Sequence, residues 1–288
     1  MEKDLLTTLS RLNGNFSKSQ RQIAKFIVEN YDRAAFMTAG RLGDEVCVSE
    51  STVVRFAAEL GYGGYPEMRK AMQEMIRNRL TSVQRIEVAK RMIDQRNIMK
   101  SVLNADIEKL QNTLEELDQD SFDMAVDAIV NAKRVYIVGM RTSTSLASFL
   151  GSYLNLLREN VTVIKDTAAS EVFEQLIRVS EGDLFIGISF PRYSKHTVDA
   201  MQFAKKRGAY TIALTDGESS PFCGISDVNL FAKSDMVSFL DSLVAPMSLI
   251  NALIVAVGAK CSTDGISETF KKLENIWAEY EVYEPSEN

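Results

Sequence analysis

The sequence predicts two differently built parts, an all-α head and an α/β body carried by a parallel sheet of about five strands. Three observations predict it. The first hundred residues place apolar side chains at helical spacing, as in Ile23, Phe26 and Ile27, with nothing that alternates like a strand. From Lys133 onward, short β-branched runs alternate with amphipathic stretches, the rhythm of βαβ units. And 288 residues suit two ordinary domains.

The head reads as helices near 2–12, 18–31, 38–46, 50–60 and 65–97, broken by Asn13-Gly14, by residues 47–49 and by the glycine-rich stretch 61–66. Its third and fourth helices form the informative unit. A nine-residue helix (38–46), a three-residue turn and an eleven-residue helix (50–60) have the layout of a helix-turn-helix. Ser49 is placed to cap the second helix by accepting the amide of Ser51 or Thr52. Val53, Val54, Ala57 and Leu60 are expected to face the core with Leu42 and Val46. That leaves Ser49, Glu50, Ser51, Thr52 and Arg55 outward, where hydroxyls and a guanidinium can bond base edges or phosphates. Tyr62, Arg69 and Lys70 are candidates for clamping the phosphate backbone. Spacing alone describes an ordinary helical hairpin equally well.

Charge distribution is compatible with a nucleic-acid partner for the head. The net charge is −6, but residues 1–80 hold 12 basic against 10 acidic side chains, while the other 208 hold 21 against 29. The stretch from Met75 to Lys100 is rich in Arg and Gln and reads as a solvated connector.

The body's expected strands are 134–138, 161–164, 183–188, 210–215 and 228–231. The first runs into Gly139-Met-Arg-Thr-Ser-Thr-Ser145, a turn opening a helix. Free amides, the positive end of the helix dipole and the side chains of Arg141, Thr142, Ser143, Thr144 and Ser145 can cradle an anion there. Taken alone, such a hydroxyl-rich start is also an ordinary helix cap. The third strand ends in Ser189-Phe-Pro-Arg-Tyr-Ser-Lys-His-Thr197, where Ser189, Arg192, Tyr193, Ser194 and Thr197 are the candidates. Turns at the carboxyl ends of neighbouring strands converge on one crevice, the place where open α/β sheets bind ligands. Gly139 lacks the further glycines of a dinucleotide fingerprint, and there is no Walker lysine.

Other classes are disfavoured. The N-terminus has no signal-peptide pattern, which suggests a cytoplasmic protein. The longest apolar run, 243–259, is too short to span a bilayer and reads as a core helix or a dimer face. Three scattered cysteines and the single His196 suggest neither disulfides nor a metal, and no cofactor is expected. His196 and Glu171 are the nearest candidates for the base of an isomerase, and both read as ordinary surface residues.

Residues 49–68, Ser-Glu-Ser-Thr-Val-Val-Arg-Phe-Ala-Ala-Glu-Leu-Gly-Tyr-Gly-Gly-Tyr-Pro-Glu-Met, closely resemble the N-terminal domain of the RpiR (MurR) family of bacterial regulators. The likeness extends to Phe16-Ser17, Ile23-Ala24 and Ile27. It implies a regulator, dimeric or tetrameric, with its recognition helix at Ser49 to Leu60, bound to operator DNA near sugar-metabolism genes. The order of Gly139 to Ser143, Ser189 to Thr197, Gly208-Ala209 and Thr215-Asp216 with Ser220-Pro221 resembles the sugar isomerase (SIS) domain. That likeness puts Ser143, Ser189 and Ser194 on the hydroxyl positions that bind a phosphosugar effector. It departs at Arg141, which replaces a frequent glycine, and at Pro191 and Arg192, which replace a serine and a glycine. The expected division is a head at 1–77, a helical linker at 78–122, a SIS domain at 123–264, and a terminal helix and tail at 265–288.

Overall fold

The computed structural model describes residues 9, 16–79, 86, 96–164, 169–234, 240–261 and 263–283. They form two compact units, the first holding the described residues up to Asn97 together with Leu240, the second the remainder from Ile98 onward. The helix expected at 2–12 lies outside the described residues apart from Leu9, as does most of the stretch 80–95 and the tail from 284.

In the head, α1 (Lys18–Glu29) starts at a reciprocal capping box. The Ser17 hydroxyl accepts the Gln20 amide at 3.4 Å, and the Gln20 side chain accepts the Ser17 amide at 2.7 Å. A short α2 (Tyr31–Ala34) follows, then α3 (Ala39–Glu45), α4 (Glu50–Glu59) and α5 (Tyr65–Arg79). Ile23, Ile27, Leu42, Val53, Phe56, Ala57 and Met68 make the dry centre, with Phe16 meeting Phe56 edge-on at 5.4 Å. The buried Tyr65 hydroxyl donates to the Met37 carbonyl at 3.0 Å. Burial, only partly offset by Arg69, pushes its pKa up to about 12.

In the body, α6 (Ile98–Glu115) and α7 (Gln119–Asn131) precede the sheet. Residues 98–122 of the expected linker therefore fall within this unit. The strands are β1 (Val135–Gly139), β2 (Val161–Ile164), β3 (Leu184–Ile188), β4 (Tyr210–Thr215) and β5 (Val228–Phe231), all parallel in the order β2-β1-β3-β4-β5. Strand residues alternate between two cores, as a sheet covered on both faces requires. Val135, Ile137, Leu184, Ile186 and Ile188 pack with α7, with α8 (Ser143–Leu157) and with α11 (Val244–Lys260). Tyr136, Val138 and Phe185 pack with α9 (Ala169–Gln175) and α10 (Lys195–Lys206). A final helix, α12 (Thr263–Glu279), follows α11.

The chain moves from β1 outward to β2, then crosses back to β3 on the other side of β1. The order in which strands are added therefore reverses between β1 and β3, and the connections leave to opposite faces there. This switch point opens a crevice at the carboxyl ends of the two strands.

Candidate functional site

The head presents a two-helix unit whose turn is fixed by backbone bonds. Thr38 caps α3 by accepting the Arg41 amide at 3.2 Å. The helix closes on Cys47 at φ +56°, with the Val48 amide donating to Gly43 at 2.9 Å and that of Cys47 to Asp44 at 3.3 Å. This paired closure is a Schellman motif with cysteine where glycine is usual. α4 ends in the same way, with Gly61 at φ +90° and the Tyr62 amide donating to Ala57 at 3.1 Å.

Two sequence expectations are corrected here. Val54 is 41% exposed, whereas Phe56 is fully buried in its place. The inward stripe of α4 is thus Val53, Phe56, Ala57 and Leu60, the i, i+3, i+4, i+7 set. Ser49 does occupy the cap position, but its hydroxyl bonds the hydroxyls of Ser51 at 2.9 Å and Thr52 at 2.8 Å rather than an amide.

Opposite the buried stripe, Ser51, Val54, Arg55 and Ala58 form one continuous exposed face. The Arg55 Nε donates to the Ser51 carbonyl at 3.2 Å, which lays its guanidinium along that face. Glu50 is exposed and Thr52 half-buried at the helix start. Tyr62 and Arg69 are half-buried and Lys70 is exposed. Val54 was missed as a surface residue because its neighbours Val53 and Phe56 leave the apolar stripe ambiguous; an exposed methyl pair on such a face suits a thymine methyl.

In the body, Gly139 pairs in register with Ile188, so the loops after β1 and β3 start one strand spacing apart, about 5 Å. A Cβ on Gly139 would stand 2.4 Å from the Ser143 carbonyl oxygen, so glycine here lets α8 begin directly against the strand end. The amides of Ser143, Thr144 and Ser145 already donate to the carbonyls of residues 140–142 at 3.1–3.3 Å. The first amides of α8, expected to be open to an anion, are therefore engaged, and what this turn offers is side chains. Ser143 is buried at the crevice floor, Arg141, Thr142 and Ser145 are exposed, and Thr144 is used internally, donating to Gly139 at 2.9 Å.

The second loop is braced from both ends. The buried Ser189 hydroxyl accepts the Ser194 amide at 3.1 Å. Ser194 in turn caps α10, accepting the Thr197 amide at 3.4 Å. Tyr193 donates to Asp216 at 2.8 Å, and Thr215 reaches both Asp216 at 3.2 Å and Ser220 at 2.8 Å. The third loop, after β4, thus supports the second, a role the sequence pattern 215–221 did not reveal. Thr197 is fully buried and its hydroxyl oxygen has no partner.

A separate cavity of about 650 Å³ opens at the amino ends of the strands, lined by residues including Met124, Asp183, Tyr210 and Asp227. Its carboxylates are used within the fold. Asp183 accepts Arg134 at 2.7 Å, and Asp227 accepts Lys205 and the Thr211 amide.

Residues 3–79 match the model of the helix-turn-helix domain of the rpiR family, and residues 128–256 match that of the SIS domain. The chain is 31% identical to the sugar isomerase domain of an RpiR transcription factor from Sphaerobacter thermophilus, with a TM-score of 0.59. That match covers 63% of this chain and 99% of that one. It is 24% identical to the transcriptional regulator HexR of Pseudomonas aeruginosa over 91% of this chain and 92% of HexR. The NanR protein of Vibrio vulnificus, solved in complex with ManNAc-6P, shares the fold at 22% identity and a TM-score of 0.58, across 95% of this chain and 98% of that one. The match at both ends, to a DNA-binding module and to a sugar isomerase body, shows that this chain belongs to the RpiR family of helix-turn-helix transcription regulators.

Proposed function

We propose that the chain is a cytoplasmic, sequence-specific regulator of sugar-metabolism genes whose grip on its operator is set by a phosphorylated sugar in the body's crevice. The observation that carries this reading is the meeting of Ser143, Ser189 and Ser194, with Arg141 and Arg192, at the carboxyl ends of adjacent parallel strands. Hydroxyls and guanidinium groups gathered at a switch point suit a phosphoryl oxygen. NanR, with the same fold, holds ManNAc-6P. Thr142, Ser145 and Tyr193 complete the wall, and the buried Thr197 underlies it. In the head, Ser49, Glu50, Ser51, Thr52, Val54 and Arg55 read the operator, while Tyr62, Arg69 and Lys70 hold phosphates.

The body binds and does not turn over its sugar. An isomerase needs a base held beside the substrate carbon, and Glu171 and His196 are both exposed. Head and body divide the work as residues 1–77 and 123–264, with 98–122 packed into the body's unit so that 78–97 joins the two, and with the helix and tail at 265–288 following.

The working unit is a homodimer or a pair of dimers. Supporting this, α6 carries an exposed apolar row, Met99, Leu103, Ile107 and Leu114, and the side of α11 turned from the core exposes Val255. A second copy covers such rows, and two heads match a two-fold operator with half-sites one helical turn apart. Footprinting on promoter DNA, with and without sugar phosphates at fixed salt, tests the reading. Protection of a symmetric site that a phosphosugar alters is expected; uniform binding to any duplex at every salt concentration contradicts it.

A further inference from the structure

The last helix of the body, α12, leaves its apolar side open. Of its described side chains, residues 267–279, none is buried, and the helix rests against α8. Phe270 is 37% exposed and Ile276 48%, while Leu273 and Trp277 are half-buried. A helix in water draws most of its stability from packing such a face, so one this rich in apolar groups calls for a partner.

The chain beyond the helix extends the same face. Glu281 makes a left-handed turn at φ +50°, and the Val282 amide donates to the Trp277 carbonyl at 2.9 Å, a Schellman closure. The turn brings the Tyr283 ring edge-on to Trp277 at 5.3 Å. Tyr280 and Tyr283, both largely exposed, thus join the row.

Two properties of this row identify its occupant. Phe270, Leu273, Trp277 and Tyr280 are spaced three, four and three apart, the repeat of helices that pair with helices. The row also reads alike in both directions about Asn275: Phe270 and Tyr280 stand equally far on either side, and so do Leu273 and Trp277. A row symmetric about its midpoint complements a copy of itself turned end for end, as a two-fold contact requires. Charge agrees with that direction. Lys271 and Lys272 precede the midpoint, Glu279 and Glu281 follow it, and all four are exposed. Lys272 meets Glu268 one turn back on its own helix at 2.8 Å. End for end, the basic pair of each copy lies beside the acidic pair of the other, whereas parallel helices would set like charges together. Exposed ion pairs contribute little each, so the apolar layers hold the contact and the charges set its direction.

We infer that α12 docks a second copy of this chain: two α12 helices pack antiparallel about a two-fold axis level with Asn275, Phe270 of each meeting Tyr280 of the other and Leu273 meeting Trp277. This surface is distinct from the α6 row, and a chain with two such two-fold contacts assembles as a pair of dimers. The contact does not depend on what the crevice binds.

The test is the mass of the full-length protein in solution, by light scattering at low salt, where exposed charges are least screened. Trp277→Glu is expected to halve the wild-type mass. Lys271→Glu combined with Lys272→Glu, and separately Glu279→Lys combined with Glu281→Lys, are each expected to do the same, and mixing these two proteins to restore the full mass. Restoration requires both variants to be folded, which separates a lost contact from a lost fold. Phe270→Cys and Tyr280→Cys proteins fix the direction: a disulfide joining the two introduced thiols is expected when they are mixed. A disulfide joining two copies of Phe270→Cys at that position overturns the antiparallel arrangement. A dimer or tetramer whose mass none of these substitutions alters overturns the inference and leaves the α6 contact standing; a monomeric wild-type chain overturns both.

Discussion

A Cβ added to Gly43 would stand 2.7 Å from the carbonyl oxygen of Val48, the residue whose own amide donates back to the Gly43 carbonyl at 2.9 Å. The turn between the two helices of the head is therefore folded against a bare backbone. Gly43→Ala forces that turn apart, and we expect a loss of about 1–3 kcal/mol, as for other overpacked sites. Gly40, one turn earlier, meets only the flexible Glu50 carboxylate at 3.4 Å. Gly40→Ala is expected to be neutral or to stabilise by up to about 1 kcal/mol through helix propensity. Thermal melts of the two variants give opposite signs if the turn geometry is right and the same sign if it is not.

The exposed row on α4 makes a second contrast. Arg55→Ala is expected to weaken operator binding by about 10- to 100-fold, the range of one good base contact, while leaving the melting temperature and effector affinity unchanged. Lys70→Ala is expected to weaken all sequences alike and to reduce the salt dependence by about one phosphate contact. Val54→Ala, at a residue 41% exposed, should change preference at one base pair without a stability loss. Quantitative binding on wild-type and singly altered operators separates the three. A large melting shift for Val54→Ala would place that side chain back in the core.

Tyr65 gives the head a pH signature. Its hydroxyl must stay protonated to donate to Met37, and burial raises its pKa to about 12 in the folded chain against the ordinary 10.0. A raised folded pKa means that the stabilisation is fully present below pH 10 and is lost as pH climbs through 12. Urea titrations between pH 8 and pH 12 are expected to show the head weakening across the upper two units. Tyr65→Phe should cost about 1 kcal/mol at pH 8 and flatten that part of the profile. An unchanged alkaline slope in the phenylalanine variant would assign the effect to another group.

Ser189→Ala removes the oxygen that accepts the Ser194 amide and braces the second crevice loop. Effector affinity is expected to fall about tenfold, equivalent to one lost hydrogen bond near 1.4 kcal/mol, while operator affinity without effector is retained. Equal damage to both functions would indicate a folding defect.

Much of this architecture was legible in the chain. The five strands lie within one residue of the runs read from β-branched composition, because a parallel sheet buried on both faces leaves a continuous apolar imprint. The helix-turn-helix was legible from the wording of residues 49–68, since its spacing alone fits an ordinary helical hairpin and the Ser49 hydroxyl does not bond an amide as expected. What the pattern could not settle was the rotation of α4, since Val53, Val54 and Phe56 permit two stripes. The contact of Phe56 with Phe16 across the head decides it, and that contact is tertiary. In the crevice, residue type singled out the hydroxyl side chains of the two loops, whose burial and partners differ from one to the next. The engagement of the first amides of α8, the support of Tyr193 by Asp216 and the left-handed backbone of Arg141 (φ +57°) and Arg192 (φ +63°) depend on backbone angles and loop proximity, which residue identity alone does not encode.

The claim that the two parts work together is tested most directly by fluorescence anisotropy of a labelled operator, titrated with full-length protein at one salt concentration, with and without each of a panel of hexose phosphates. Operator affinity is expected to shift fivefold or more with the compound that binds the crevice, with the shift requiring about tenfold more of that compound in Ser189→Ala and retained, at lower absolute affinity, by Arg55→Ala. An operator affinity indifferent to a sugar phosphate that demonstrably binds the body would contradict the account.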